Sequence, residues 1–249
     1  MLSEMKVKNI LISQPQPQNS SPYTDIISKY GININFRPFF RMESLTAKEF
    51  RMQKINIPDY TAIVFTSRSA IDAFFHLCEE LRVVVPESMK YFCISEAIAF
   101  YLQKYIVYRK RKIFFGNGTQ SSIIDAIGTK HKDEKFLIAT TDNNKNDVQK
   151  LFAKTKIKYN SAVFVKTTNN NLSDLSLSDY QIMVFYSPSD IKSLIENFPE
   201  FKQDGLHIAT FGPTTAKAVK EAGFEIAIEA PSPQVPSIAK ALELYLEKK

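Results

Sequence analysis

The chain has 249 residues but only two cysteines, Cys78 and Cys93, and three histidines. Two cysteines cannot provide the disulfide framework of a small secreted domain, so we expect two free, buried thiols. His76 and Cys78 would point about 200° apart on a helix, which argues against a shared metal ion. The composition therefore predicts neither a disulfide-stabilised fold nor a zinc site.

Long apolar segments are also missing. No run approaches the ~20 residues that a transmembrane helix needs. The first residues, MLSEMKVKNILIS, contain an apolar run too short for a signal peptide, and no cleavage site of small residues follows it. We therefore expect a cytoplasmic protein with no membrane partner. Its 44% hydrophobic and 23% charged residues are an ordinary globular balance, sufficient for two modest domains.

Several catalytic motifs are absent. There is no P-loop, no Gly-x-Ser-x-Gly nucleophile elbow and no clustered set of metal-ligating side chains. The segment FGNGTQSS contains Gly116 and Gly118 but lacks the third glycine of a dinucleotide-binding fingerprint. A site without a metal, a nucleophile or a cofactor loop favours ligand binding, or catalysis by positioning and electrostatics.

The net charge is +6, and the densest basic run is RKRK at residues 109–112. Such a run is typical of a solvated strand end or loop. The alternative is that it steers an acidic partner, either a polycarboxylate or phosphate ligand or a nucleic acid. A DNA-reading helix-turn-helix at residues 214–223 is disfavoured, because the following FEIAIEAP has apolar residues at strand spacing with acidic residues among them. We predict no nucleic-acid partner, since groove-reading and stacking motifs are missing.

Short apolar runs alternate with amphipathic helical stretches along the chain, which indicates parallel sheets covered by helices. The predicted strands are residues 10–13, 33–36, 62–66, 91–94, 106–108, 136–139, 157–165, 182–186, 207–210 and 224–228. The predicted helices include residues 70–81, 96–103, 146–154, 190–197, 214–222 and 235–247.

The chain also repeats itself. Residues 59–75 and 179–195 align without gaps and are identical at seven of 17 positions, which favours a duplication. Five predicted strands follow the start of the first copy, but only three follow the second, and the missing two lie near the amino terminus. We therefore predict an α/β fold of two flavodoxin-like, doubly wound parallel-sheet domains. One is built from both chain ends, 1–37 plus 172–249, the other is 48–160, and a two-stranded linker of residues 38–47 and 161–171 joins them.

In such sheets, ligands bind outside the carboxyl ends of the strands, where helix N-termini point. The residues predicted at these ends are mostly small hydroxyls and helix-start amides, which suit carboxylates or phosphates. Each serine or threonine alone is equally explained as a helix N-cap. We expect the two edges to form an interdomain cleft, lined by residues 13–14, 66–69, 95–96, 116–119, 140–142, 186–189 and 212–215.

Residues 208–242, IATFGPTTAKAVKEAGFEIAIEAPSPQVPSIAKAL, closely resemble the C-terminal signature of uroporphyrinogen-III synthases. VFYSPSDIKSL resembles the family's Ser-Pro-Ser strand-to-helix turn, and DYTAIVFTSRSAIDAFF resembles its Phe-Thr-Ser turn in the other domain. The resemblance covers nearly the whole chain in order.

This resemblance implies an enzyme that cyclises hydroxymethylbilane, a linear tetrapyrrole with many carboxylates, to uroporphyrinogen III. Water is lost and ring D is inverted through a spiro intermediate. The resemblance implies no metal and no organic cofactor, and it raises the upstream hydroxymethylbilane-producing enzyme as a partner. By the same analogy the catalytic residues are Thr214 and Thr215. The implied substrate-binding residues are Ser67, Arg68, Ser69, Ser95, Thr141, Ser187, Ser189, Gly212 and Gln14.

The sequence departs from the family pattern at three places. Gln14 stands where the family often has arginine, and residues 95–99 replace a Gly-x-x-Thr-Ala turn. A linker tyrosine sometimes proposed as proton donor falls at Val165, with Tyr159 and Tyr186 as candidate substitutes. These departures keep open the alternative of a non-catalytic tetrapyrrole or acidic-ligand binding protein of the same fold.

Overall fold

The structure is a computed structural model that describes residues 6–18, 21–142 and 147–248. The predicted domain limits at residues 1 and 249, and the predicted helix start at residue 146, lie outside these ranges. The chain divides into two compact units. The split unit comprises Met1–Arg41 and Asn169–Lys249, and the central unit comprises Met42–Thr168. Each unit is an α/β structure with a predominantly parallel sheet, which confirms the predicted fold class at this level.

The described residues form eleven strands and nine α-helices. The strands are β1 (Asn9–Ile12), β2 (Asn33–Phe36), β3 (Phe40–Ser44), β4 (Ala62–Phe65), β5 (Lys90–Cys93), β6 (Ile113–Phe115), β7 (Phe136–Thr141), β8 (Tyr159–Asn169), β9 (Ile182–Phe185), β10 (His207–Phe211) and β11 (Ile226–Ala230). The helices are α1 (Pro22–Tyr30), α2 (Ala47–Arg51), α3 (Arg68–Glu80), α4 (Glu96–Tyr101), α5 (Ser121–Ile127), α6 (Asp147–Ala153), α7 (Pro188–Asn197), α8 (Pro213–Glu221) and α9 (Ile238–Leu246).

The sheet of the split unit has the order β11-β10-β9-β1-β2, and all four pairings are parallel. β1 lies between strands from opposite ends of the chain: Ile10 is in register with Ile34 on one side and Ile182 on the other. Because a parallel sheet is covered on both faces, such an inner strand is continuously apolar. Ile10, Leu11 and Ile12 are accordingly all buried.

The sheet of the central unit has the order β3-β8-β7-β4-β5-β6. Counted from β4, its five parallel strands have the order 3-2-1-4-5, not the flavodoxin-like 2-1-3-4-5 that we expected. The reason is the position of two strands in the chain. β7 and β8 follow the other three strands of their sheet, whereas β1 and β2 precede theirs. If β9 is counted first, the split sheet also reads 3-2-1-4-5, so the two sheets share one spatial arrangement.

The prediction of a strand at residues 106–108 is wrong. The third parallel strand of the central unit is β6, which pairs with β5 through Tyr91 and Ile113. In the predicted segment, Val107 is 78% exposed, while Ile106 and Tyr108 pack against the core without strand pairing. The basic run before β6 forms a turn, in which the amide of Lys112 donates to the carbonyl of Arg109 at 2.9 Å. The apolar residues 106–108 were therefore not sufficient to predict which segment pairs with β5.

Strand β3 and helix α2 fall within or next to the segment expected to be a linker. β3 adds a sixth strand beside β8. Thr46 and Glu49 begin α2 with a reciprocal capping box, in which each side chain binds the other residue's amide. The capping box explains locally why a helix starts directly after β3.

Helices and loops bury apolar side chains on both faces of each sheet. Cys78 and Cys93 are free and buried in the central unit, as expected, and burial raises the pKa of both thiols to about 12. Within the three described ranges, no helix is long and apolar enough to cross a membrane.

Candidate functional site

In the split unit, β9 lies between β10 and β1, and the three strands run parallel. Their carboxyl ends therefore share one edge. Tyr186 and Ser187 follow β9, Gly212 follows β10, and Ser13 and Gln14 follow β1. The structure thus brings together the predicted site residues of this unit, although they are up to two hundred positions apart in the chain.

The turn into α8 leaves main-chain amides open at this edge. Gly212 has φ 90° and ψ 150°, a conformation that favours glycine, and a Cβ there would meet no atom within 4 Å. Pro213 occupies the first turn of the helix, and no side chain of the described residues caps this turn. The first-turn N–H groups of a helix lack intrahelical partners and carry the positive end of its dipole. Uncapped, they suit an anionic group such as a carboxylate.

Thr214 and Thr215, the two predicted catalytic residues, have different surroundings. Thr214 is exposed, whereas Thr215 is 1% exposed and its Oγ1 has no hydrogen-bond partner within the described ranges. Consecutive residues on a helix point about 100° apart, so one side chain faces outward and the other enters the core. Of the two hydroxyls predicted to hold substrate, that of Thr214 lies at the surface and that of Thr215 is buried.

A capping box begins α7. Ser187 Oγ accepts a 3.1 Å hydrogen bond from the amide of Ser189. Asp190 Oδ2 in turn accepts from the amides of Tyr186 and Ser187, both at 2.9 Å. Ser187 and Ser189 are half-buried. The predicted hydroxyl of Ser187 thus serves as an N-cap as well as lying at the strand edge.

Asp190 was not among the residues predicted for the site. Its side chain is 1% exposed, and Ser13 Oγ donates a 2.8 Å hydrogen bond to the same Oδ2 atom. Burial raises the pKa of this carboxyl to about 6, although the three hydrogen bonds oppose the shift. The detectable signal was the acid three positions after Ser187, the spacing of a capping box. Gln14, the next residue after Ser13, is exposed.

Tyr186 has a hydroxyl partner at the same edge. Its phenolic oxygen lies 2.7 Å from that of Tyr23 in α1, and its ring centroid lies 5.6 Å from that of Phe211. Burial raises the pKa of both phenols above the usual range. Tyr159 instead begins β8, at the amino end of its strand, and donates to the carbonyl of Gln149 at 3.3 Å. Of the two substitutes considered, only Tyr186 lies at a carboxyl edge.

The central unit repeats this arrangement with β4 between β7 and β5. Ser67 and Ser69 follow β4, Thr141 ends β7, and Ser95 follows β5. Ser67 caps α3 by accepting from the amide of Ala70 at 3.2 Å, and its hydroxyl lies 3.0 Å from that of Ser69. Ser95 precedes α4 but its side chain makes no capping bond. The four predicted hydroxyls of this unit therefore share one edge.

Arg68 places a cation at this edge. It is exposed, and its guanidinium lies 5.4 Å from the ring centroid of Tyr101. Among the described residues it forms no salt bridge. The Tyr101 hydroxyl donates to both carboxylate oxygens of Asp72 at 2.9 Å, and Lys104 adds an ion pair to Asp72 at 2.9 Å. This network fixes the aromatic ring, and the ring in turn supports Arg68 through a cation–π contact.

The remaining predicted segments of the central edge satisfy their own polar groups. Asp142 accepts from the amide of Thr167 at 2.9 Å, and Asn117 Oδ1 accepts from the amide of Thr119 at 3.1 Å. Gly116 is packed so closely that a Cβ would lie 2.0 Å from Ser122 Oγ. In the described ranges, no group of three His, Cys, Asp or Glu residues is arranged to hold a metal ion.

A family model described as uroporphyrinogen-III synthase HemD matches residues 21–240 of this chain. The chain belongs to the uroporphyrinogen-III synthase family. The uroporphyrinogen-III synthase of Schizosaccharomyces pombe is 21% identical over 256 residues, covering 97% of this chain and 99% of that protein. The match extends over both units, as the resemblance of the sequence motifs implied.

Two solved structures of the family have a similar fold. The uroporphyrinogen-III synthetase of Helicobacter pylori is 18% identical with a TM-score of 0.55. A mutant uroporphyrinogen III synthase of Thermus thermophilus is 13% identical with a TM-score of 0.54. Both alignments cover 97% of this chain and 100% of the other. At such identities the likeness supports the fold of the family and carries no assignment of individual residues.

The departures from the uroporphyrinogen-III synthase pattern have distinct structural positions. Gln14 is exposed at the carboxyl edge, so a side chain there is able to reach a ligand. Val165, in place of the linker tyrosine, is 1% exposed and belongs to the core of the central unit. Valine has no ionisable group, so this position cannot supply a proton.

Proposed function

We propose that this chain catalyses the reaction of its family, the cyclisation of hydroxymethylbilane to uroporphyrinogen III with inversion of ring D and loss of water. The observation that carries the proposal is the family match over residues 21–240. This reaction belongs to tetrapyrrole biosynthesis, and its substrate is a small, polyanionic tetrapyrrole. The non-catalytic alternative is not favoured, because the match to the enzyme family extends over both units of the chain.

The binding of substrate carboxylates is assigned to two kinds of donor. In the split unit, the uncapped amides after Gly212 and the exposed hydroxyl of Thr214 suit one carboxylate. In the central unit, Arg68 has no salt bridge in the described ranges, and a guanidinium binds a carboxylate in two-pronged geometry. Ser67 and Ser69 add hydroxyl donors beside it. These contacts orient the substrate through its periphery.

Catalysis in this proposal is largely positioning. The linear substrate has to lose its hydroxyl group and close on the inverted ring, so the protein must hold the reacting carbons together and exclude the competing closure. The Tyr186–Tyr23 hydroxyl pair is proposed to hydrogen-bond the departing hydroxyl. Phenols are neutral at physiological pH, and burial raises the pKa of both further, so the hydroxyl that accepts within the pair keeps its own proton to donate. Ser187, Ser189, Ser95, Thr141 and Gln14 are proposed as further binding residues.

The finer architecture is part of the same proposal. The order β2-β1-β9-β10-β11 supports a flavodoxin-like description of the split unit when counted from β1. We keep residues 1–37 plus 172–249 and 48–160 as domains, with 38–47 and 161–171 as a two-stranded linker. We also propose that the protein is cytoplasmic. Its substrate would be transferred from the upstream enzyme of tetrapyrrole biosynthesis, which produces hydroxymethylbilane.

The test is a coupled assay. Purified protein is supplied with freshly generated hydroxymethylbilane, and the oxidised products are separated by chromatography into the type I and type III isomers. We expect the type III isomer to dominate. Type I alone, formed at the uncatalysed rate, contradicts the proposal. Tight binding of uroporphyrinogen III without turnover supports the non-catalytic alternative instead.

A further inference from the structure

Asp190 binds its surroundings through only one of its two carboxyl oxygens. Oδ2 accepts hydrogen bonds from Ser13 Oγ at 2.8 Å and from the amides of Tyr186 and Ser187 at 2.9 Å. Oδ1 is buried and has no partner within the described ranges. The side chain as a whole is 1% exposed. Oδ2 therefore binds groups at the ends of two strands. Oδ1 is removed from water and receives no hydrogen bond from the described residues.

Within the described part of the chain, no charged side chain is among the groups that shift the pKa of this carboxyl. The causes of the raised pKa are burial first, opposed by the bonds from Tyr186, Ser13 and Ser187. The ionisable side chain among these three is the phenol of Tyr186, which is bonded to that of Tyr23. On α7 itself, Lys192 pairs with Glu196, and on the adjoining α8, Lys217 pairs with Glu221, all four being exposed. The carboxyl thus faces polar, uncharged groups.

The fold does not need a carboxylate at this position. An asparagine side chain would place its carbonyl oxygen where Oδ2 accepts the three bonds, and its amide group where Oδ1 now has no partner. Such a replacement removes a buried charge that no charged side chain compensates in the described ranges, and this gain offsets the cost of burying the amide group without a partner. Burying an ionised carboxylate at neutral pH costs stability. The helix-capping role, which a neutral asparagine would also fill, does not explain that cost.

We propose that Asp190 is a positioning residue of the active site, whose ionised carboxylate locks the ends of β1 and β9 in the geometry that catalysis requires. The proposal rests on the synthase function proposed above. The three bonds to the carboxylate are charge-assisted, and such bonds are shorter and about twice as strong as neutral ones. They fix the main chain at Tyr186 and Ser187, and through Ser13 they fix the turn that presents Gln14.

Protonation should weaken this lock without unfolding the unit. A proton can occupy Oδ1, which has no partner in the described ranges, while Oδ2 remains an acceptor as a carbonyl oxygen. The bonds then lose their charge assistance, and the Tyr186–Tyr23 hydroxyl pair loses precise support. Activity is expected to fall as the pH decreases through about 6, the pKa of the Asp190 carboxyl.

The experiment compares the wild type with D190N between pH 5 and pH 8. We expect D190N to fold, to lower kcat about tenfold at pH 7.5 with a smaller change in KM, and to lose the acid limb near pH 6. Its unfolding free energy at pH 7.5 should equal or exceed that of the wild type. A merely structural cap would change stability but leave the pH profile of kcat intact.

The control is E49Q, which removes the carboxylate of the capping box of α2, where Glu49 is half-buried and ion-paired with Lys166. Its pH profile should keep the acid limb. The proposal is overturned if D190N retains wild-type kcat with the same acid limb, or if D190N fails to fold, since the fold would then require the carboxylate. A wild type that forms only the type I isomer refutes the synthase function and this role with it, so the two failures are distinguishable.

Discussion

Ser13, at the end of the first strand, donates a 2.8 Å hydrogen bond to Asp190, which lies 177 positions later in the chain. Both side chains are buried, at 6% and 1% exposure. This contact joins two segments of the split unit that belong to separate sequence motifs. It also connects the turn containing Gln14 to the Ser187 capping box, and so adds a side-chain bond to the main-chain pairing of β1 with β9.

Ser13→Ala should destabilise the protein by about 1–2 kcal/mol, because the buried Asp190 loses one of three donors. The measurement is urea unfolding at pH 7.5. Ser28→Ala is the control, since Ser28 Oγ donates only to the carbonyl of Thr24 on the exposed face of α1. We expect the control to change stability by less than about 0.5 kcal/mol. Equal losses in the two variants would show that the Ser13 bond has no special value.

Thr215→Val should raise the unfolding free energy by about 1 kcal/mol, because it removes a buried hydroxyl that lacks a partner within the described ranges. Thr214→Ala should leave stability nearly unchanged and lower kcat/KM, since its exposed hydroxyl is assigned to a substrate carboxylate. Thermal unfolding and the isomer assay measure the two effects. A stability loss in Thr215→Val would mean that its hydroxyl is bonded after all.

Arg68→Ala should raise KM about tenfold with little change in kcat, because it removes binding that the substrate and the transition state share. The fold should be unaffected, since the guanidinium is exposed and, among the described residues, its contact is with the ring of Tyr101. Arg111→Ala, in the exposed basic turn before β6, is the control and should leave KM unchanged. If both variants raise KM alike, the effect is one of general positive charge and not of a specific contact.

His131 should make the protein less stable in mild acid. Its ring packs against Phe92 and Phe114, with centroids 5.5 and 4.4 Å away, and Nδ1 has no partner in the described ranges. Burial, with nearby Lys90, lowers the pKa of this imidazole below 6.5. The unfolded chain therefore binds the proton more tightly, so stability is full above pH 6.5 and declines as the pH falls.

His131→Leu should remove this decline, as measured by urea unfolding from pH 7.5 to pH 5. Asp190 acts with the opposite sign: its raised pKa adds stability in acid that is lost as the pH rises through about 6. The comparison is therefore made in the D190N background. There residue 190 no longer titrates, and the contribution of His131 can be measured by itself. A decline that persists in the double variant would assign it to other groups.

The sequence was sufficient for elements whose cause is local or repeated. β9 and β4 were predicted because each is a fully buried apolar run followed by a serine cap. β6 was misplaced because pairing with β5, not hydropathy, selected Ile113 over Ile106. The inward rotation of Thr215 and the Ser13–Asp190 bond were missed, since both depend on tertiary packing. Sequence motifs located the carboxyl edge of the strands. They did not indicate which polar atoms at that edge lack a hydrogen-bond partner among the described residues.

The position of β1 has a consequence for synthesis on the ribosome. This strand forms the interior of its sheet, yet its partner β9 begins at Ile182. For most of translation, the apolar sequence Ile10–Leu11–Ile12 is present without that neighbour, while every strand of the central sheet has already been made. We expect the central unit to fold first and the nascent amino-terminal strand to depend on chaperones until the last third of the chain emerges.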